Sequence, residues 1–233
     1  MLVAYVGEIL SKHPRIDSLL HNISTSTLWQ SLPEEARPLL VATYFLKHPQ
    51  KILIVTSNYE KALQWQAKLL LCGIPETQIK QLPSGISALF EDASPETTTL
   101  SERLGALYSL LDPLPSIVIT TPQSALERTL PREVFEQTLL HLKVEHETSP
   151  EAIIKVLVEL GYEPADPVRV PGQFCKRGGL LDIYAFGRNA PVRIEFFGDE
   201  IESLREFDPS TQRSQQYVLE VFITPARETL PRS

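Results

Sequence analysis

Cysteine is scarce: Cys72 and Cys175 are the only two in 233 residues. They lie far apart, with no CxxC and no neighbouring histidine pair, so neither a zinc site nor a disulfide framework is indicated. The five histidines (His13, His21, His48, His141 and His146) are scattered and read as solvated surface side chains. Long apolar runs are missing too. Stretches such as 39–46 fall far short of the ~20 residues needed to cross a bilayer. Residues 1–10 include Glu8 and lack a basic segment followed by a cleavage site, so no signal peptide and no membrane partner are expected. The expected location is the cytoplasm. A basic excess is lacking as well: 22 Lys and Arg face 29 Asp and Glu, a net charge of −7. Phosphate neutralisation has little to draw on, and a broad nonspecific DNA-binding surface is not expected.

What is present is the mix of a globular chain, 42% hydrophobic and 22% charged, long enough for one or two domains. The first half alternates strands and helices. Residues 51–56 (KILIVT) form a buried-strand run. Ser57 with Glu60 reads as a capping box opening a helix through Leu63, Trp65, Leu69 and Leu70 to a stop at Gly73. A second helix is readable over 95–111, with Leu100, Leu104, Leu107 and Leu111 at helical spacing. Residues 116–120 (SIVIT) form another strand, and Thr121 and Pro122 take the cap and first-turn positions of a short helix. Such alternation implies a parallel α/β sheet covered on both faces.

The pattern changes after about Arg132. Residues 133–144 read as a strand or mixed segment. Ser149 and Pro150 start a helix over 151–160, whose Ile153, Ile154, Leu157 and Leu160 form a stripe closed by Gly161. From Val168 to Asp208 short strands dominate, with turns at Pro171–Gly172, Gly187–Asn189 and Gly198–Asp199. This region is expected to be an α+β unit, a helix on a small antiparallel sheet. Residues 217–223 are again a β-type run.

An α/β start invites a search for a phosphate loop, which needs glycines, a lysine and a Ser or Thr. The equivalent place, 32–38, reads LPEEARP. It has no glycine and no Lys-Ser/Thr pair, and its two carboxylates would repel a triphosphate. No nucleophile elbow stands out either, and the paired acids Asp199 and Glu200 read as solvated turn carboxylates. No catalytic, cofactor-binding or metal-binding residue is therefore assigned.

The informative segment is 168–208. Arg169, Lys176, Arg177, Arg188 and Arg193 face one acid, Asp182, in its first part. From Ile194 on, Glu195, Asp199, Glu200, Glu202, Glu206 and Asp208 stand against Arg205. Such polarity suits docking on a partner of complementary charge, although ordinary solvated strand faces would show it too. Alternation on 192–197 puts Val192, Ile194 and Phe196 on the face packed against the 151–160 helix, and Arg193, Glu195 and Phe197 on the other. An arginine beside an outward phenylalanine is anchor chemistry for an interface; the alternative is a Phe197 packed under a neighbouring loop.

Three runs, PGQFCKRGGLLDIY (171–184), PVRIEFFGDEIESLREFD (191–208) and TQRS (211–214), resemble the UvrA-interaction domain shared by UvrB and the transcription-repair coupling factor (Mfd). Upstream, Ser94-Pro95 and LSERLGALY (100–108) look like the coupling factor rather than UvrB. The resemblance covers roughly 50–228 and is most specific over 172–208. It implies a degenerate helicase-like α/β domain over 1–130, a UvrA-interaction insert over 131–212, and a return strand of the first domain within 213–233. It implies UvrA as the partner, contacted through Arg177, Arg193 and Phe197, in a non-catalytic adaptor of nucleotide excision repair. RNA polymerase and DNA would be partners of a longer parent protein through other domains, this chain being an N-terminal portion or a truncated relative. The rival readings are a UvrB-type DNA-dependent ATPase, which needs the missing phosphate loop, and a DNA-binding module using Arg169, Lys176, Arg177 and Arg193, which the acidic balance disfavours.

Overall fold

The computed structural model describes Pro14, residues 32–85 and residues 95–228. The readings of residues 1–10, His13, His21 and Ser94 lie outside these. Backbone contacts divide the chain into two units, Met1–Pro83 with Asp112–Leu126, and Ser84–Leu111 with Glu127–Ser233.

In the first unit, α1 (Ala36–Lys47), β1 (Ile52–Val55), α2 (Tyr59–Leu71), β2 (Ile79–Leu82) and β3 (Ile117–Thr120) follow one another. The strands pair in parallel in the order β1-β3-β2, as the alternation predicts. All four residues of the central β3 are buried, and its Ile117 and Ile119 share a core with Ala42 and Phe45 of α1 and Ala62 and Leu69 of α2. The expected cover on both faces is incomplete at the β1 edge, where Leu53 and Val55 remain 55% and 53% exposed. Thr121 caps the short helix Pro122–Ala125 by accepting from Ser124 N. At α2 the cap falls one residue later than expected. Asn58, not Ser57, accepts from Lys61 N at 2.9 Å, because the first helical residue is Tyr59 and only Asn58 stands at the half-in position whose side chain reaches the third amide.

The second unit contains α3 (Pro95–Leu111), α4 (Arg132–Thr138), β4 (Leu140–Lys143), α5 (Pro150–Glu159), β5 (Glu163–Pro164), β6 (Gln173–Arg177), β7 (Leu180–Tyr184), β8 (Val192–Phe197), β9 (Glu200–Phe207), β10 (Ser214–Val218) and β11 (Glu220–Ile223). Six strands form a sheet in the order β10-β9-β8-β7-β6-β5, antiparallel except for the β5–β6 pair. Ser149 opens α5 by accepting from Ala152 N, and Ile153 and Leu157 enter one apolar cluster with Leu181, Ile183, Val192 and Ile194. Each such side chain, fully buried, stabilises the unit by ~1.5–3 kcal/mol.

Two segments sit elsewhere than expected. The stripe of α3 was expected in the first domain, yet Leu104 is fully buried in the second unit's core, with Leu100, Leu107 and Leu111 packed on it. The expected return strand of the first domain divides instead. β10 joins the six-stranded sheet, and β11 pairs antiparallel with β4, because its Val221 and Ile223 have their apolar partners in this core.

One contact holds α3 to the loop after β7. A Cβ on Gly105 would lie 2.7 Å from the Gly187 Cα, and one on Gly187, whose φ is +77°, would lie 2.4 Å from the Gly105 Cα. The Gly187 amide also donates to Ser101 Oγ at 2.9 Å. Alanine at 105 improves helix propensity by ~0.5–1 kcal/mol, but the clash is with backbone and cannot be relieved by a rotamer. Gly105→Ala is therefore expected to destabilise the chain by a net ~1–3 kcal/mol, read as a lower urea midpoint; an unchanged or raised midpoint would show that the approach is not tight.

Candidate functional interface

The inner face of the six-stranded sheet is apolar, with Leu181, Ile183, Val192, Ile194, Ile201 and Leu204 fully buried. Their neighbours along each strand point the other way. Strand register sets Cys175, Asp182, Arg193, Arg205 and Tyr217 in one row across five strands of this outer face. Arg177, Leu180, Glu195 and Ser203 form the adjacent row.

Asp182 is the centre of the first row. Its side chain is 1% exposed, and a carboxylate so placed is costly unless paired and hydrogen-bonded. Arg193 supplies a bidentate pair, Nε to Oδ1 at 2.7 Å and Nη2 to Oδ2 at 2.8 Å. Arg177 adds Nη2 to Oδ2 at 2.7 Å and lies 3.5 Å from Asp166 through Nη1. The shared carboxylate pushes both guanidiniums further up from their ordinary pKa. Arg193 also donates to the Gln212 carbonyl at 3.3 Å and lies 4.7 Å over the Phe207 ring. Phe207 clusters with Val168, Cys175 and Tyr184 on this side; burial pushes the Cys175 thiol pKa up.

The two arginines assigned from the sequence are thus brought together, but unequally presented. Arg177 is 41% exposed and Arg193 16%. Phe197 stands apart, four residues beyond Arg193 on β8, or ~13 Å at strand rise. It ends β8 at a two-residue turn whose first residue, Gly198, has φ +63°, the glycine-first pattern of a II′ hairpin. The turn is pinned by Thr148 N donating to Asp199 O at 2.7 Å. Phe197 is 79% exposed, so no loop covers it.

Folding resolves part of the charge polarity along 168–208 into ion pairs: Arg193 meets Asp182 within the basic part, Arg205 meets Glu195 within the acidic part, and Arg188 reaches across to Glu206. Lys176 is taken by Glu151 of α5. What remains distinctive is the pair of arginines fixed on one buried acid. In the sequence Asp182 is only the lone acid among five basic residues, with nothing local to mark it as their holder. Nothing local marks Arg205 and Tyr217 either: the Arg205 guanidinium lies 5.3 Å over the Tyr217 ring, and only the β9–β10 register brings them together.

Among the described residues no group of His, Cys, Asp or Glu could hold a metal ion, and no helix is long and apolar enough to cross a membrane. A family model for the UvrB interaction domain matches residues 140–228, from β4 to beyond β11. The transcription-repair-coupling factor of Bacillus subtilis is 34% identical over 200 residues, 85% of this chain and 16% of that protein. That of Myxococcus xanthus is 34% identical over 155 residues, 66% and 13%. That of Escherichia coli is 28% identical over 189 residues, 81% and 16%. The chain therefore spans about a sixth or less of the length of these relatives.

Proposed function

We propose that this chain, which is similar to the transcription-repair-coupling factors and matches the UvrB interaction domain over residues 140–228, binds UvrA through its outer sheet face, as a non-catalytic adaptor in transcription-coupled repair. The observation that carries the reading is the pair Arg177 and Arg193 fixed on buried Asp182, with bare Phe197 at the end of the same face. Arginines held in place by a rigid acid lose little freedom on binding, and an exposed aromatic on a tight hairpin is a preformed anchor. The first unit serves as a degenerate helicase-like scaffold in this reading. At the start of α1, where a phosphate loop would sit, Glu34 and Glu35 are exposed and Glu34 is taken by Lys61. Contacts to RNA polymerase and DNA belong, in this proposal, to a longer parent protein.

A DNA-binding use of the same arginines is less well supported, because Asp182 already holds Arg177 and Arg193, and Glu151 takes the neighbouring Lys176. The proposal predicts co-elution with UvrA on a sizing column and no ATP turnover above buffer by the chain alone, with or without DNA. Separate elution at micromolar concentrations, or DNA-stimulated turnover, would overturn it.

A further inference from the structure

Phe197 is not the only large apolar side chain left bare on the outer face. Leu219 is 81% exposed and Tyr217 73%, and with Phe197 at 79% these are the three most exposed large hydrophobics among the described residues of the second unit. Tyr217 lies opposite Arg205, which lies opposite Arg193, so Tyr217 shares their face. Val218 pairs with Leu204 and packs into the core; Leu219 follows in the bend between β10 and β11, where its carbonyl accepts from Val144 N at 3.0 Å and its side chain is left exposed. Antiparallel sheets keep their solvated face polar, and large apolar groups collected there mark a contact surface.

Arg205 makes the second patch a counterpart of the first. Its guanidinium is bound by Glu195 on one side and faces the Tyr217 ring on the other, while its buried Nε has no hydrogen-bond partner. From Arg193 to Tyr217 is two strand spacings, ~10 Å, so both patches fall within a single protein footprint. A flat apolar and aromatic surface with internally neutralised arginines suits a protein rather than a polyanion.

We propose that Tyr217, set by Arg205, and the neighbouring exposed Leu219 form a second anchor for the partner that Phe197 contacts, extending its binding surface across β9 and β10. The inference rests on the UvrA reading above. It is tested by titrating UvrA with the intact wild-type chain, with Phe197→Ala, and with the double variant Tyr217→Ala/Leu219→Ala. Both replaced side chains are exposed, so the double variant is expected to melt with the wild type. Its affinity should fall at least ~10-fold, the scale of an anchor truncation. Undiminished affinity of the double variant, alongside loss in Phe197→Ala, would overturn the second anchor and leave the UvrA reading intact. No binding by the wild type would remove both. Binding of duplex DNA, lost in the double variant in the absence of UvrA binding, would assign the patch to nucleic acid and overturn it as well.

Discussion

Replacing Phe197 by alanine should weaken UvrA binding by at least ~2 kcal/mol, roughly 30-fold, while leaving stability within ~0.5 kcal/mol of wild type. The two halves follow from one observation, a side chain 79% exposed at the end of β8. It contributes little to the core, and so little is lost from the fold. The inner-face neighbour Phe196 is the one packed against the core. If the partner takes up the Phe197 ring, truncation leaves that pocket unfilled, and the loss should fall mainly on dissociation. Kinetics on immobilised UvrA, with a urea melt of the same variant, separates the effects. A melt shifted by several kcal/mol would mean that the ring supports the hairpin rather than a partner.

Arginine variants cannot give so clean an answer. Arg193→Glu would set a second carboxylate against buried Asp182, so lost binding could report lost folding. The larger stability effect is predicted at Asp182 itself. Removing one member of a buried charge cluster typically costs ~3–5 kcal/mol. Asp182 holds Arg193 and Arg177 together, but Arg177 is 41% exposed and can turn to water. The cost of Asp182→Ala should therefore lie near the lower end, ~3 kcal/mol, seen as a lower urea midpoint with unchanged slope. The double variant Asp182→Ala/Arg193→Met should recover part of it, because the uncompensated guanidinium is gone. A full loss in both would show that packing around residue 182, not charge, sets the cost.

Local signals in the sequence carried much of the fold. Thr121 and Ser149 cap where they were expected to, because a cap needs only its own next three residues. Alternation in 192–197 placed Val192 and Ile194 inside and Phe197 outside, because one face of this sheet is apolar throughout. Nonlocal facts were not legible. Helical spacing in 95–111 shows a stripe but not which core receives it. The β-type run 217–223 shows extended chain but not that it breaks between two sheets. Charges counted along 168–208 suggested polarity, and only strand register reveals which of them meet as ion pairs. The same register turns Asp182 from an isolated acid into the holder of both arginines, and brings Tyr217 beside Arg205.

The central claim is that this chain by itself binds UvrA. Calorimetric titration of UvrA into the intact wild-type chain, without DNA and near physiological salt, tests it most directly. The account predicts a saturable isotherm in the micromolar range or tighter, unaffected by added duplex DNA at the chain's concentration. Absence of heat and of any shift in thermal stability with UvrA in excess would contradict it.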